Sequence, residues 1–299
     1  MIPDAGRWPR LELADWADTC ATLHMWTQIV GKIRLALASP INHWWHVTLY
    51  ATARGLTTSP MPYRGGTVEI LFDFVEHRLV FETSDGGRKV LPLEPESVAA
   101  FYARVRRTLD ELRVAAHIWP MPVEVPSPVR FDEDRQHASY DAAAVERWWR
   151  TLRQVDVALK AFRGGFLGKC SPVHFFWGSF DLALTRFSGR PAPPRAGADR
   201  ITSEAYSHEV ASAGFWPGTP GVVDAAFYAY AAPEPPGYAG APVAPAGARY
   251  DRTLNEFILP YEEVRSAASP EAAIRAFLDS TYEAAAALGR WDRAQLERR

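Results

Sequence analysis

Apolar residues recur at every third or fourth position in four stretches of the chain, which is the helical period. Trp16, Cys20, Leu23, Thr27, Val30 and Leu37 mark a helix over 12–38, stopped by Pro40. Val98, Phe101, Val105, Leu109 and Leu112 mark a second over 96–112, with Pro95 suited to its first turn. A third begins at Asp141, the expected N-cap, runs along Val145, Trp148, Trp149, Leu152, Val155, Leu159 and Phe162, and ends at Gly164-Gly165. The last starts at Ser269-Pro270 and carries Ile274, Phe277, Leu278, Thr281, Tyr282 and Leu288.

Between these helices the apolar residues alternate or cluster in short runs rich in β-branched and aromatic types. They predict strands over 43–54, 67–75, 78–84, 88–93 and 114–123, and again over 172–187, 205–216, 224–231 and 255–261. Asp85-Gly86-Gly87 is a hairpin signal, because glycine accepts the positive φ of a tight turn. Residues 124–140 are polar and contain proline, and 191–200 and 232–249 are rich in Pro, Ala and Gly; these read as connections.

The order helix, long strand, three more strands, helix thus occurs twice. At an offset of 132, Ser39-Pro40 falls on Ser171-Pro172, Trp45 on Trp177, Ala51 on Ala183, Arg54 on Arg186 and Pro62 on Pro194. Val90-Leu91-Pro92-Leu93 resembles Ile258-Leu259-Pro260-Tyr261 at offset 168, and the Pro-rich loops of the second pass absorb the difference. The pattern predicts an α+β protein of two pseudo-repeated halves from an internal duplication. Each half is an antiparallel sheet backed by helices, in the order of TATA-binding-protein-like or helix-grip folds. The first half is 1–123, the connection 124–140 and the second half 141–299.

Composition narrows the function. With 47% apolar and 23% charged residues over 299 positions, the chain is of the globular class and long enough for a full core. A net charge of -2 offers no pull on nucleic acid or an anionic membrane, so neither is an expected partner. Cys20 and Cys170 make neither a disulfide framework nor a zinc knuckle. No basic n-region precedes an apolar run, and no run approaches a membrane span, so the expected location is the cytoplasm. The surplus is aromatic: 11 Trp, 15 Phe and 11 Tyr, enough to furnish a pocket as well as a core.

The densest polar cluster is Asn42-His43-Trp44-Trp45-His46. On a strand, His43 and His46 point to opposite faces and cannot share a metal ion. That strand would carry Trp45, Val47, Leu49, Ala51 and Ala53 on one face and His46, Thr48, Tyr50, Thr52 and Arg54 on the other. The second set supplies a base, hydroxyls and an anion anchor, with Arg186 as the repeat-related second anchor. Ser207-His208-Glu209 brings a further imidazole. Cys170 lies beside Lys169 and four residues before His174, which suits either a nucleophile pair or an inert buried thiol. Asp132-Glu133-Asp134 with His137 is a solvated loop or a cation site. The runs Phe175-Phe176-Trp177, Phe215-Trp216 and Phe227-Tyr228 with Tyr230 serve the core or stack a planar ligand or sugar. A phosphate loop, nucleophile elbow and zinc-protease helix are absent.

These residues point to a small-molecule-binding protein, an enzyme of unknown reaction included, with an aromatic-walled polar cleft lined by His46, Tyr50, Arg54, Arg186 and His208. Its ligand would be small and anionic, and no cofactor is implied. Two alternatives stand beside it. One is a non-catalytic scaffold whose Pro-rich 191–249 loops bind a partner. The other is a metalloenzyme using His43 or His46 with His174, His208 and Glu209.

Nearly the whole chain resembles a mainly bacterial family, domain of unknown function 5996. The likeness rests on Leu23-His24-Met25-Trp26-Thr27-Gln28, on Asn42-His43-Trp44-Trp45-His46-Val47, on Ala53-Arg54-Gly55-Leu56-Thr57-Thr58, on Lys169 through Gly178 and on Ser207-His208-Glu209-Val210. It implies membership and carries no reaction, cofactor or catalytic residue to these positions.

Overall fold

Helix starts are set locally. Ser97, Asp141 and Ser269 each accept a hydrogen bond from a first-turn backbone N–H, at Ala100, at Ala143 and Ala144, and at Ala272. A computed structural model describes residues 4–219 and 223–298. Its first part holds α1 (Asp4–Arg7), α2 (Ala17–Leu37), β1 (Tyr50–Ala51), β2 (Gly55–Thr57), β3 (Met61–Tyr63), β4 (Gly66–Asp73), β5 (Arg78–Thr83), β6 (Arg88–Pro92) and α3 (Val98–Glu111). The second holds α4 (Ala142–Gly164), β7 (His174–Phe176), β8 (Asp181–Pro191), α5 (Arg200–Ala205), β9 (His208–Thr219), β10 (Val223–Ala232), β11 (Arg249–Asp251), β12 (Glu256–Pro260), α6 (Tyr261–Arg265), α7 (Pro270–Leu288) and α8 (Arg293–Leu296).

The strands form two antiparallel sheets of six, so the chain is α+β. The first runs β1-β2-β4-β5-β6 with β3 on β4, the second β11-β12-β10-β9-β8-β7. Strands β6 and β12 occupy the segments matched at offset 168. One antiparallel bridge joins the sheets at their β1 and β7 edges: Leu49 and Phe175 exchange both backbone hydrogen bonds at 2.9 Å.

A single apolar cluster reaches from α2 and the first sheet through α4 to the second sheet and α7. Trp148 of α4 is at its centre, stacked on Phe180 at 5.1 Å and edge-on to Phe74 and Phe175. No helix is long and apolar enough to cross a membrane among the described residues.

Three expectations need correction. Residues 43–54 are not one strand. Asn42–Val47 is a 3-10 segment with His43 and Trp44 left-handed at φ 58 and 61, and pairing starts only at Tyr50. Its polar groups are met by distant residues in place of a ladder: Trp177 donates its indole N–H to the Val47 carbonyl at 2.6 Å, and the Glu204 carbonyl takes the His43 ring at 3.1 Å. The alternation argument for a polar strand face therefore fails at 43–47. Residues 114–123 form no strand either. Pro120 and Pro122 lack an N–H, and the Gln28 side chain satisfies both the N–H and C=O of Val123 at 2.9 and 2.8 Å. The long strand over 172–187 is the β7–β8 hairpin, which turns at Phe180 with φ 62.

Candidate functional site

Alternation assigns the second sheet two faces. Leu182, Leu184, Phe215, Phe227, Phe257 and Leu259 point into the main core, where α4, α6 and α7 lie. The residues of opposite parity form a second face that these helices do not cover. Ala183, Ala226, Tyr228 and Ile258 are its floor, with half-buried Phe176, Trp216 and Tyr230 packed against them. Tyr230 continues into a second patch of Phe187, Val210 and Ala232 with Trp45 and Tyr206. Register sets Tyr228, Gly214, Ala183 and His174 in one row across β10, β9, β8 and β7.

A buried acid marks one end of this face. Asp181, buried at the start of β8, accepts hydrogen bonds from Ser179 and from Tyr228. The phenol reaches it by lying over Gly214, where any Cβ would strike the Tyr228 ring. Burial raises the Asp181 carboxyl above the usual range, against the pull of its two donors. Burial, then the charge of Asp181, pushes Glu256 up to about 7. The same two causes raise Glu124, whose carboxyl overhangs Gly178. Among the described residues neither Glu256 nor Asp181 forms an ion pair.

His174 stands at the middle. It is 0% exposed, and among the described residues neither ring nitrogen has a hydrogen-bond partner. The rings of Trp45, Tyr50 and Phe176 surround it edge-on at 5.5–5.6 Å. Burial, then the charge of Arg34, drops its pKa to about 3, so it is neutral. A neutral imidazole still carries one donor and one acceptor, and leaving both unmet costs about 1–3 kcal/mol each.

The other end is basic. Lys169 Nζ lies 2.6 Å from His43 Nε2, over the rings of Phe187 and Trp45 at 5.0 and 5.5 Å. The His43 ring is 4.7 Å from Phe187 and 5.6 Å from His208. The left-handed backbone at His43 and Trp44, which turns this ring inward, costs about 1–2 kcal/mol per residue.

Of the residues expected to line a cleft, Tyr50 and His208 border this face, at His174 and at His43. His46 is buried to one side, where its Nδ1 accepts the Ile41 N–H at 3.2 Å. Arg54 is on the first sheet, half-exposed and paired with Asp73 at 2.9 Å. Arg186 points the opposite way, into the helix-covered core. Its guanidinium lies 3.4 Å from the centre of Phe162 and 4.3 Å from that of Tyr282, and it donates to the Phe162 carbonyl in the last turn of α4. The five are not brought together.

The other candidates separate as well. Burial pushes the Cys170 thiol up to about 11, against Arg186 and Arg163. Glu209 pairs with Arg190 at 2.6 Å. Asp134 accepts from its own loop and from His137 at 2.7 Å, and Asp132 pairs with Arg130. Among the described residues no three His, Cys, Asp or Glu side chains gather where they could hold a metal ion, so His43, His46, His174, His208 and Glu209 do not come together as a ligand set. A surface groove of about 510 Å³ lies elsewhere, outside α3 between Tyr102, Arg106 and Asp132.

The sequence pattern singles out neither Asp181 nor Glu256, and Tyr228 only as part of the Phe227-Tyr228 run. A signal existed: Asp181 is a lone charge in the apolar run Phe180-Asp181-Leu182-Ala183-Leu184. A family model described as a family of unknown function (DUF5996) matches residues 8–298. No curated protein and no solved structure matches the chain.

Proposed function

The chain belongs to the DUF5996 family of unknown function, and from that starting point we propose that it is a small-molecule-binding protein taking an organic cation on the uncovered face of its second sheet. The observation that carries this reading is the set of half-buried rings of Phe176, Trp216 and Tyr230 near the buried Asp181 and half-buried Glu256 carboxyls, neither of which pairs with a cation among the described residues. Aromatic faces attract an ammonium group through their quadrupole, and a carboxylate in a desolvated setting supplies the charge.

An anion fits less well. The guanidiniums from which anion binding was expected are engaged elsewhere, Arg54 with Asp73 and Arg186 among Phe162 and Tyr282.

Thermal-shift titration with benzylamine, choline and spermidine tests the reading. At least one should give saturable stabilisation, about 2.7 kcal/mol at a hundredfold excess over Kd. Because Glu256 titrates at about 7, the shift should be larger at pH 8 than at pH 6 and should shrink in Glu256→Gln. Stabilisation by none of the three, or an equal shift in Glu256→Gln, would overturn it.

A further inference from the structure

We propose that Lys169 is a carbonyl-condensing amine with His43 as its proton acceptor, in a site walled by Trp45 and Phe187 that takes a planar aldehyde or ketone. This site lies at the basic end of the sheet face and does not depend on the cation reading.

The geometry isolates this lysine from the other three. Lys89 is paired with Glu111 at 2.7 Å and Lys160 with Asp156 at 2.6 Å, and Lys32 is buried between the Trp119 and Trp177 rings. Lys169 is exposed, and among the described residues no acidic side chain forms an ion pair with it. Its Nζ donates at 2.6 Å to His43 Nε2. The tautomer follows from the other nitrogen: His43 Nδ1–H is committed to the Glu204 carbonyl, so Nε2 keeps its lone pair for the ammonium. That alignment depends on a left-handed residue that is not glycine, and such positions gather where function holds them. The groups facing the pair are His208 from β9 and the Glu204 carbonyl from α5. Burial, then the neighbouring Lys169 charge, lowers His43, which keeps Nε2 unprotonated, and partial desolvation lowers Lys169, which increases its free-amine fraction.

The chemistry balances without a further reactant. The Lys169 ammonium passes a proton to His43 Nε2, and the freed amine attacks the carbonyl carbon. The new C–N bond forms as the C=O π pair moves to oxygen, and one of the two protons on the attacking nitrogen then passes to that oxygen. The lone pair of the carbinolamine nitrogen closes the C=N bond as the C–O bond breaks, and the last proton stays on nitrogen. The imidazolium returns its proton to the departing hydroxyl, which leaves as water. The sum is carbonyl plus lysine ammonium giving protonated imine plus water, with His43 neutral again. Half-buried Trp45 offers a planar carbonyl an aromatic wall beside the amine, backed by buried Phe187.

Reductive trapping reads this directly. The full chain is treated with benzaldehyde and sodium cyanoborohydride at pH 7, and adducts are quantified by peptide mass spectrometry. Lys169 should label about tenfold or more faster than Lys89 and Lys160, with a pH midpoint below theirs. In His43→Asn, which suits a left-handed backbone, the Lys169 rate should fall at least about tenfold while Lys89 is unchanged. If Lys169 labels no faster than Lys89 in the unaltered protein, the proposal fails whatever the variant does. It fails equally if folded His43→Asn labels at the original rate.

Discussion

Burial of ionisable side chains without an opposite charge shapes this protein at the residue scale. His24 spends its Nε2–H on the carbonyls of Trp177 and Gly178, and burial holds its pKa down to about 4. Arg186 closes the end of α4 with its charge spread over three rings. Glu256 yields a measurable consequence. Its pKa is about 7 in the fold against an ordinary 4.5, so as pH rises past 4.5 the unfolded chain ionises first. Stability is then lost progressively up to about 7, and the cost persists above it. Glu256→Gln should therefore raise the melting temperature at pH 8 and leave it almost unchanged at pH 4, as calorimetry at both values would show. Equal shifts would mean that packing, and not charge, is responsible. The side on which Arg186 falls was legible in the sequence, since it shares parity with Leu182 and Leu184. What hid it was the match to Arg54, an identity of letters that says nothing of direction.

At the scale of elements, the sequence disclosed what depends on neighbours along the chain. The caps at Asp141 and Ser269 and the strands β4, β5 and β6 follow from local pattern. It concealed what depends on partners far away: Gln28 holds Val123 across 95 positions, and Trp177 holds Val47 across 130. Trp177 depends in turn on α2, because its indole lies against Gly31 where a Cβ would overlap the ring. Gly31→Ala is therefore a contest. Helix propensity favours alanine by about 1 kcal/mol, whereas overpacking against a ring pinned by its hydrogen bond costs about 1–3 kcal/mol. Net destabilisation is expected, as a lower urea midpoint; a rise would show that Trp177 can move aside.

At the scale of the molecule, the core ignores the boundary between the sheets. Trp148 touches Phe74 of the first part and Phe175 and Phe180 of the second. Urea unfolding should accordingly be one transition, with circular dichroism and tryptophan fluorescence giving the same midpoint. Two separated midpoints would mean that the sheets melt independently.

The pairing of Leu49 with Phe175 has one more consequence. A sheet that ends in an open rim invites other chains to extend it. Here each rim is the other's cover, so the protein silences two sticky borders with one short clasp. Prying that clasp apart would give the molecule two further places from which to polymerise.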